Sequence, residues 1–156
     1  MDYTKISCGV IGQENIPADK IEPLKQKIGE ETESVFKAGY RLFVIGLTGE
    51  PALLFTEAAL NLRQNCPDVR VELFIPYDEW IDEQSESARY SSVMAQADGA
   101  NFSCDEPFED SVDILNNQLL DVGNYLVIIH DGTDEEINNV IDSAHDMEKT
   151  VREFWA

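Results

Sequence analysis

The chain has 156 residues, 43% hydrophobic and 9% aromatic, with 31 Asp and Glu against 11 Lys and Arg for a formal net charge of −20. Length and apolar content describe one globular domain over residues 1–156 and argue against a disordered chain. So few cations leave no basic stripe to neutralise a phosphate backbone, which argues against direct nucleic-acid binding, and no apolar run approaches the roughly 18 residues that span a bilayer.

KISCGVIG (5–12) reads as a strand ending at Gly12. A helix is expected from about Ala18 to Lys37, with Ile21, Leu24, Ile28 and Val35 on one face and Gly39 closing it. RLFVIG (41–46) is a second strand, and residues 51–65 a second helix. VRVELFIP (69–76) is a third strand, stopped by Pro76. A helix around Ala88–Ala97 precedes a short strand near Asn101–Ser103. A helix from about Phe108 to Leu120 leads to NYLVIIH (124–130), the most continuous apolar strand. The last helix is expected to start near Thr133 and run toward Phe154.

Five strands alternating with helices predict an α/β fold: a doubly wound, Rossmann-like, mostly parallel five-stranded sheet with helices on both faces. In such sheets ligands bind beyond the carboxyl ends of the strands, where the strand order reverses. The turns at Gly12, at Gly46-Leu47-Thr48-Gly49, at Pro76-Tyr77 and at Asp131-Gly132-Thr133 are therefore the candidate site. Glycine permits close backbone approach, and the helix after Gly49 offers free amides to an anion. The lysine and spacing of a Walker loop are absent, as is the G-x-G-x-x-G dinucleotide fingerprint.

Other motifs carry less. The odd count of Cys8, Cys66 and Cys104, without C-x-x-C spacing, points to reduced thiols and a cytoplasmic chain. Cys8 reads as core, and Cys104 as more exposed. MDYTKISCGV does not have the pattern of a signal peptide. His130 reads as a histidine packed at a strand end, and His145 as solvent-facing. DGTDEEINNVID (131–142) lacks the glycine and final glutamate of a calcium loop, so no dedicated metal site is expected. Mg²⁺ held by Asp131 together with a ligand phosphate is the one cofactor foreseen. Tyr77 and Trp80 are placed to stack on a base or ribose. Phe154 and Trp155 suggest docking on the body or on a second subunit.

The stretch AGYRLFVIGLTGEPALLFTEAALNLRQNCPDVRVELFIPYDEW, followed by RYSSVMAQAD and LNNQLLDVGNYLVIIHDG, resembles the YpsA-like family. That family belongs to the SLOG superfamily of Rossmann-like proteins, related to the DprA and Lonely Guy families. The similarity runs through about Gly39 to Ala144, with markers in the G-x-x-G turn, Glu57, Tyr90, Ala97-Asp98, Asn116, Asp121 and Asp131-Gly132. It implies a pocket for a nucleotide-related small molecule at the strand ends. The chain departs from the family where T-G-H-R becomes Ile11-Gly12-Gln13-Glu14, where R-N becomes Leu115-Asn116, and where G-G-T becomes Glu135-Glu136-Ile137.

A helix N-terminus favours an anion by about 0.3–1 kcal/mol. One carboxylate about 6 Å from a phosphate opposes it by roughly 0.7 kcal/mol in water and about 2.8 kcal/mol at an effective dielectric of 20. Glu50, Glu135 and Glu136 thus predict weak phosphate binding unless Mg²⁺ bridges it or the side chains point away. No nucleophile or acid–base pair stands out, which favours a sensor or binder over an enzyme. Its expected ligand residues are Gly12, Gly46, Thr48, Gly49, Tyr77, Trp80, Asn116, Asp131, Gly132 and Thr133. The alternatives are a hydrolase of nucleotide N-glycosidic bonds using Glu57 or Glu136, and an acidic module that docks on a basic partner or forms a homodimer.

Overall fold

The computed structural model describes residues 7–107 and 109–155. In chain order these form β1 (Ser7–Gly12), α1 (Ile21–Lys37), β2 (Leu42–Gly46), α2 (Glu50–Asn65), β3 (Arg70–Ile75) and α3 (Ser87–Gln96). They continue with β4 (Gly99–Phe102), α4 (Ser111–Leu119), β5 (Tyr125–Ile129), α5 (Glu135–Asp146) and β6 (Thr150–Phe154). The strands lie in the order β4-β3-β2-β1-β5-β6, and every pairing is parallel. The chain therefore builds outward from β1 to one edge, crosses back, and finishes at the other. The reversal falls between β1 and β5.

Alternation along the strands divides the interior into two layers. Cys8, Val10, Phe43, Ile45, Val71 and Leu73 face α1, α2 and α3 in the larger core. Ile11, Val44, Leu126 and Ile128 face α4 and α5 in the smaller one. Because both faces are covered, β1 is buried along its whole length, which explains its unbroken apolar run. Helix α2 is the centrepiece, burying Leu53, Phe55 and Ala59 completely. Each such large side chain contributes about 1.5–3 kcal/mol on leaving water. Gly39 takes a left-handed φ of 108° just past α1, as its position after the helix requires.

The sheet has six strands, not the five expected from the sequence. The last helix stops at Asp146 instead of running toward Phe154, and residues 150–154 add a sixth strand beside β5. The helix closes with the Lys149 amide donating to the Ala144 carbonyl at 3.0 Å, while Glu148 adopts a φ of 59°. A glutamate thus occupies the left-handed position usually marked by glycine. Phe154 and Trp155 pack into the larger core of the same chain. Cys104 is buried rather than exposed, and Cys8 is core, its thiol pKa raised by burial and then by Glu31. The expected helix start at Phe108, and strand residues 5 and 6, lie outside the described residues; α4 begins at Ser111. Among the described residues, no helix is long and apolar enough to cross a membrane.

Candidate functional site

After β1 the chain does not leave the sheet at once. The Gln13 amide donates to the Ile129 carbonyl at 2.9 Å, and Gln13 Oε1 accepts from the Asp131 amide at 3.2 Å. The chain then passes directly over the start of α2. Thr48 Oγ1 donates to the Gly12 carbonyl at 3.1 Å, and the Glu14 carbonyl accepts from the Glu50 amide at 3.4 Å. At α5 the Asp134 carboxylate caps the helix, accepting from the Glu136 amide at 3.0 Å and the Ile137 amide at 3.3 Å. Both helix starts thus have amides already committed to oxygens of this chain. A phosphate would have to displace them.

Two crevices flank this crossing. The first, about 230 Å³, lies between the Glu14-Asn15 turn, Thr48-Gly49, and the segment Trp80–Tyr90. Its carboxylates are Glu14, Glu50 and Glu86, and no Lys, Arg or His is among the described residues that line it. Glu50 is turned toward Arg89, whose guanidinium donates to it at 2.9 and 3.2 Å and to Glu57 at 2.6 and 3.3 Å. Glu86 lies 4.0 Å from the same guanidinium, so three carboxylates share one cation. Trp80 meets Tyr90 edge-on at 5.1 Å, and burial pushes the Tyr90 hydroxyl up to about 12.

The second crevice, about 190 Å³, sits at the strand-order reversal beside Gly12. Glu14, Glu109, Asp113, Asp134 and Glu136 line it together with Asn116. Burial first, then Asp134 and Asp113, raises the Glu14 carboxyl above its ordinary value. Burial first, then Asp110 and Asp134, raises Asp113, and the charge of Asp113 raises Glu136.

The ten residues singled out in the sequence are distributed unequally. Thr48, Gly49 and Trp80 line the first crevice; Gly12 and Asn116 line the second. Tyr77 stands outside both, its hydroxyl donating to Glu83 Oε2 at 2.5 Å, which pushes it up to about 12. Gly46 faces α4: a Cβ there would fall 2.5 Å from Leu115 Cδ2 and 2.7 Å from Leu119 Cδ1, so packing explains this glycine.

Asp131, Gly132 and Thr133 form a turn outside both crevices, tied to Gln13, His130 and Asn138. Asp131 Oδ1 accepts from the Thr133 hydroxyl at 2.6 Å and its amide at 3.0 Å, and the hydroxyl chiefly lowers the Asp131 pKa. His130 is buried. Its Nδ1 accepts from the Gly132 amide at 3.1 Å, so Nε2 carries the hydrogen and donates to Glu153 Oε1 at 2.9 Å. Sequence reasoning missed Glu86, Arg89, Glu109, Asp113 and Asp134 as site residues.

The raised carboxyls have a consequence for stability. Glu14, Asp113 and Glu136 bind protons more tightly in the folded protein than in the unfolded chain. Their contribution is fully present below the unfolded values and is lost as pH rises through the raised ones. The thermal midpoint is therefore expected to be higher near about pH 5 than at pH 7. Roughly 0.5 M salt at pH 7 should recover part of the difference by screening. A midpoint that falls steadily from pH 7 to about pH 5 would contradict this assignment.

No family model matches the sequence, and no curated protein does. Among solved structures, the fold matches the X-ray structure of DNA processing protein A (DprA) from Streptococcus pneumoniae with a TM-score of 0.67 and 11% identity. The match covers 99% of this chain and 52% of that one, so the chain spans about half the DprA length. At this identity the likeness establishes a shared Rossmann-like α/β fold.

Proposed function

We propose that this chain is a YpsA-like member of the SLOG superfamily that binds a nucleotide-related small molecule as a sensor or binder, gripping the nucleoside portion rather than a phosphate. The observation that carries this reading is the composition of the first crevice: Glu14 and Glu86, with Glu50 already paired to Arg89, a tryptophan and no lining cation, beside a helix start whose amide is already bonded. Carboxylates accept hydrogen bonds from ribose hydroxyls and exocyclic amino groups, so the same charge that repels phosphate recognises a nucleoside. Thr48 and Gly49 form the floor and Trp80 the apolar wall. The DprA-like fold supports a nucleotide-related ligand, and a phosphorylated one requires Mg²⁺ to offset the carboxylates.

Calorimetry and thermal shift with adenosine, guanosine and their monophosphates, with and without Mg²⁺, test the reading. Nucleosides should bind about tenfold or more tighter than monophosphates in chelator, the effect of one or two nearby carboxylates. Adding Mg²⁺ should narrow the gap. Tighter monophosphate binding in chelator, or no response to any of the four, would overturn it.

One observation favours a second reading, hydrolysis of an N-glycosidic bond. Glu136 lines the second crevice beside Asp113, whereas Glu57 is held by Arg89. That reading requires free base released from a nucleoside monophosphate and lost in Glu136→Gln.

A further inference from the structure

Asn116 projects from α4 into the second crevice and is 2% exposed, yet its Oδ1 has no hydrogen-bond partner. Buried carbonyl oxygens in folded proteins are nearly always paired, and an orphan calls for an explanation. Asn116 differs from its neighbours on α4, Leu115 and Leu119, which are fully buried in an apolar layer. An apolar side chain would fit that layer without leaving an acceptor unmet.

The surroundings specify the missing donor. Glu14, Asp113, Asp134 and Glu136 line the same crevice, and no Lys, Arg or His does so among the described residues. A phosphate, a carboxylate or any other anion is repelled. A bare metal ion is poorly served as well, because no three His, Cys, Asp or Glu among the described residues gather closely enough to hold one. Carboxylates spaced around a cavity of about 190 Å³ match a cation whose charge and N–H groups are spread over several atoms. Burial raises Glu14 and Asp113 first and the neighbouring carboxylates raise them further, while Asp113 chiefly raises Glu136; that repulsive part is what such a cation would relieve.

We propose that the crevice at the reversal between β1 and β5 binds a small free organic cation, a guanidinium or primary ammonium compound, with Asn116 Oδ1 accepting one N–H and the surrounding carboxylates the others. This site is separate from the nucleoside crevice and shares only Glu14 with it.

Calorimetry on the full chain at about 0.15 M salt compares agmatine and putrescine with tetramethylammonium, which has the charge without the N–H donors, and with Mg²⁺. Agmatine or putrescine should bind at least about tenfold tighter than tetramethylammonium. Asn116→Leu should weaken that binding about tenfold or more while leaving the thermal midpoint unchanged or raised, and should leave nucleoside affinity unchanged. Asp113→Asn, at a half-buried position in the lining, provides the same test if Asn116→Leu fails to fold: weaker amine binding with a raised midpoint. Equal binding of tetramethylammonium would reduce the crevice to diffuse charge attraction and overturn the proposal. So would unchanged agmatine affinity in both variants, tighter binding of Mg²⁺ than of either amine, or binding of a blocked arginine-containing peptide but of neither free amine.

Discussion

Gly49→Ala is expected to destabilise the protein by about 3 kcal/mol, although it adds a single methyl group. A Cβ at this position would lie 2.1 Å from the Glu14 carbonyl oxygen and 2.6 Å from the Glu14 Cα. These are main-chain atoms, so no rotamer change relieves the overlap. The turn after β1 must lift off the start of α2, breaking the bond from the Glu50 amide and altering both crevices at once. Backbone preference is not at issue, because Gly49 has an extended φ of 172° that alanine adopts freely. Gly29→Ala is the matched control, with nothing within 4 Å of its Cβ and a helical position in α1. It should stabilise by up to about 1 kcal/mol. Urea denaturation of the two variants gives both numbers; a cost below about 1 kcal/mol for Gly49→Ala would mean that the turn is not seated on α2.

Phe154→Ala should cost about 3 kcal/mol, the usual range for truncating a buried aromatic. Phe154 is 9% exposed, ends the strand paired with β5, and accepts at its carbonyl from the His130 amide at 3.2 Å. Removing its ring loosens β6 and frees the neighbouring Glu153 from His130 Nε2. The sign of the effect separates two architectures. If residues 147–154 prolonged α5 into solvent, alanine would be neutral or favourable there, since it has the highest helix propensity. A cost near 3 kcal/mol requires the sixth strand.

That strand shows where sequence patterns stop being informative. The strands β1, β2 and β5 are buried on both faces, so their apolar runs announce them, while β3 alternates buried Val71, Leu73 and Ile75 with more open positions. The start of α2 is marked by Gly49 and Pro51, and the end of α1 by Gly39. Nothing comparable marks the end of α5, where Glu148 takes the left-handed turn at a residue type that rarely does so. The following TVREF carries two charges because β6 is an edge strand, and an edge strand need not be apolar.

The candidate site was legible to a similar depth. Of the residues singled out by the strand-end rule, Thr48, Gly49, Trp80, Gly12 and Asn116 line crevices at that end of the sheet. The carboxylates that give each crevice its character were not legible. Asp113 and Glu136 lie more than twenty residues apart in sequence and meet only because α4 and α5 pack on the same face. Glu50 was seen as an obstacle to phosphate, yet its partner Arg89 comes from α3, 39 residues away.

Both margins of the sheet are open. Among the described residues neither β4, which ends in the 46% exposed Phe102, nor β6 has a strand on its outer side, so each presents main-chain groups that a stranger could extend. Neither margin is protected by a proline within the strand. The shared excess of 20 negative charges opposes such pairing between two molecules. Acidification toward neutrality of charge, or concentrated electrolyte, steadies the individual molecule while inviting neighbours to aggregate edge to edge.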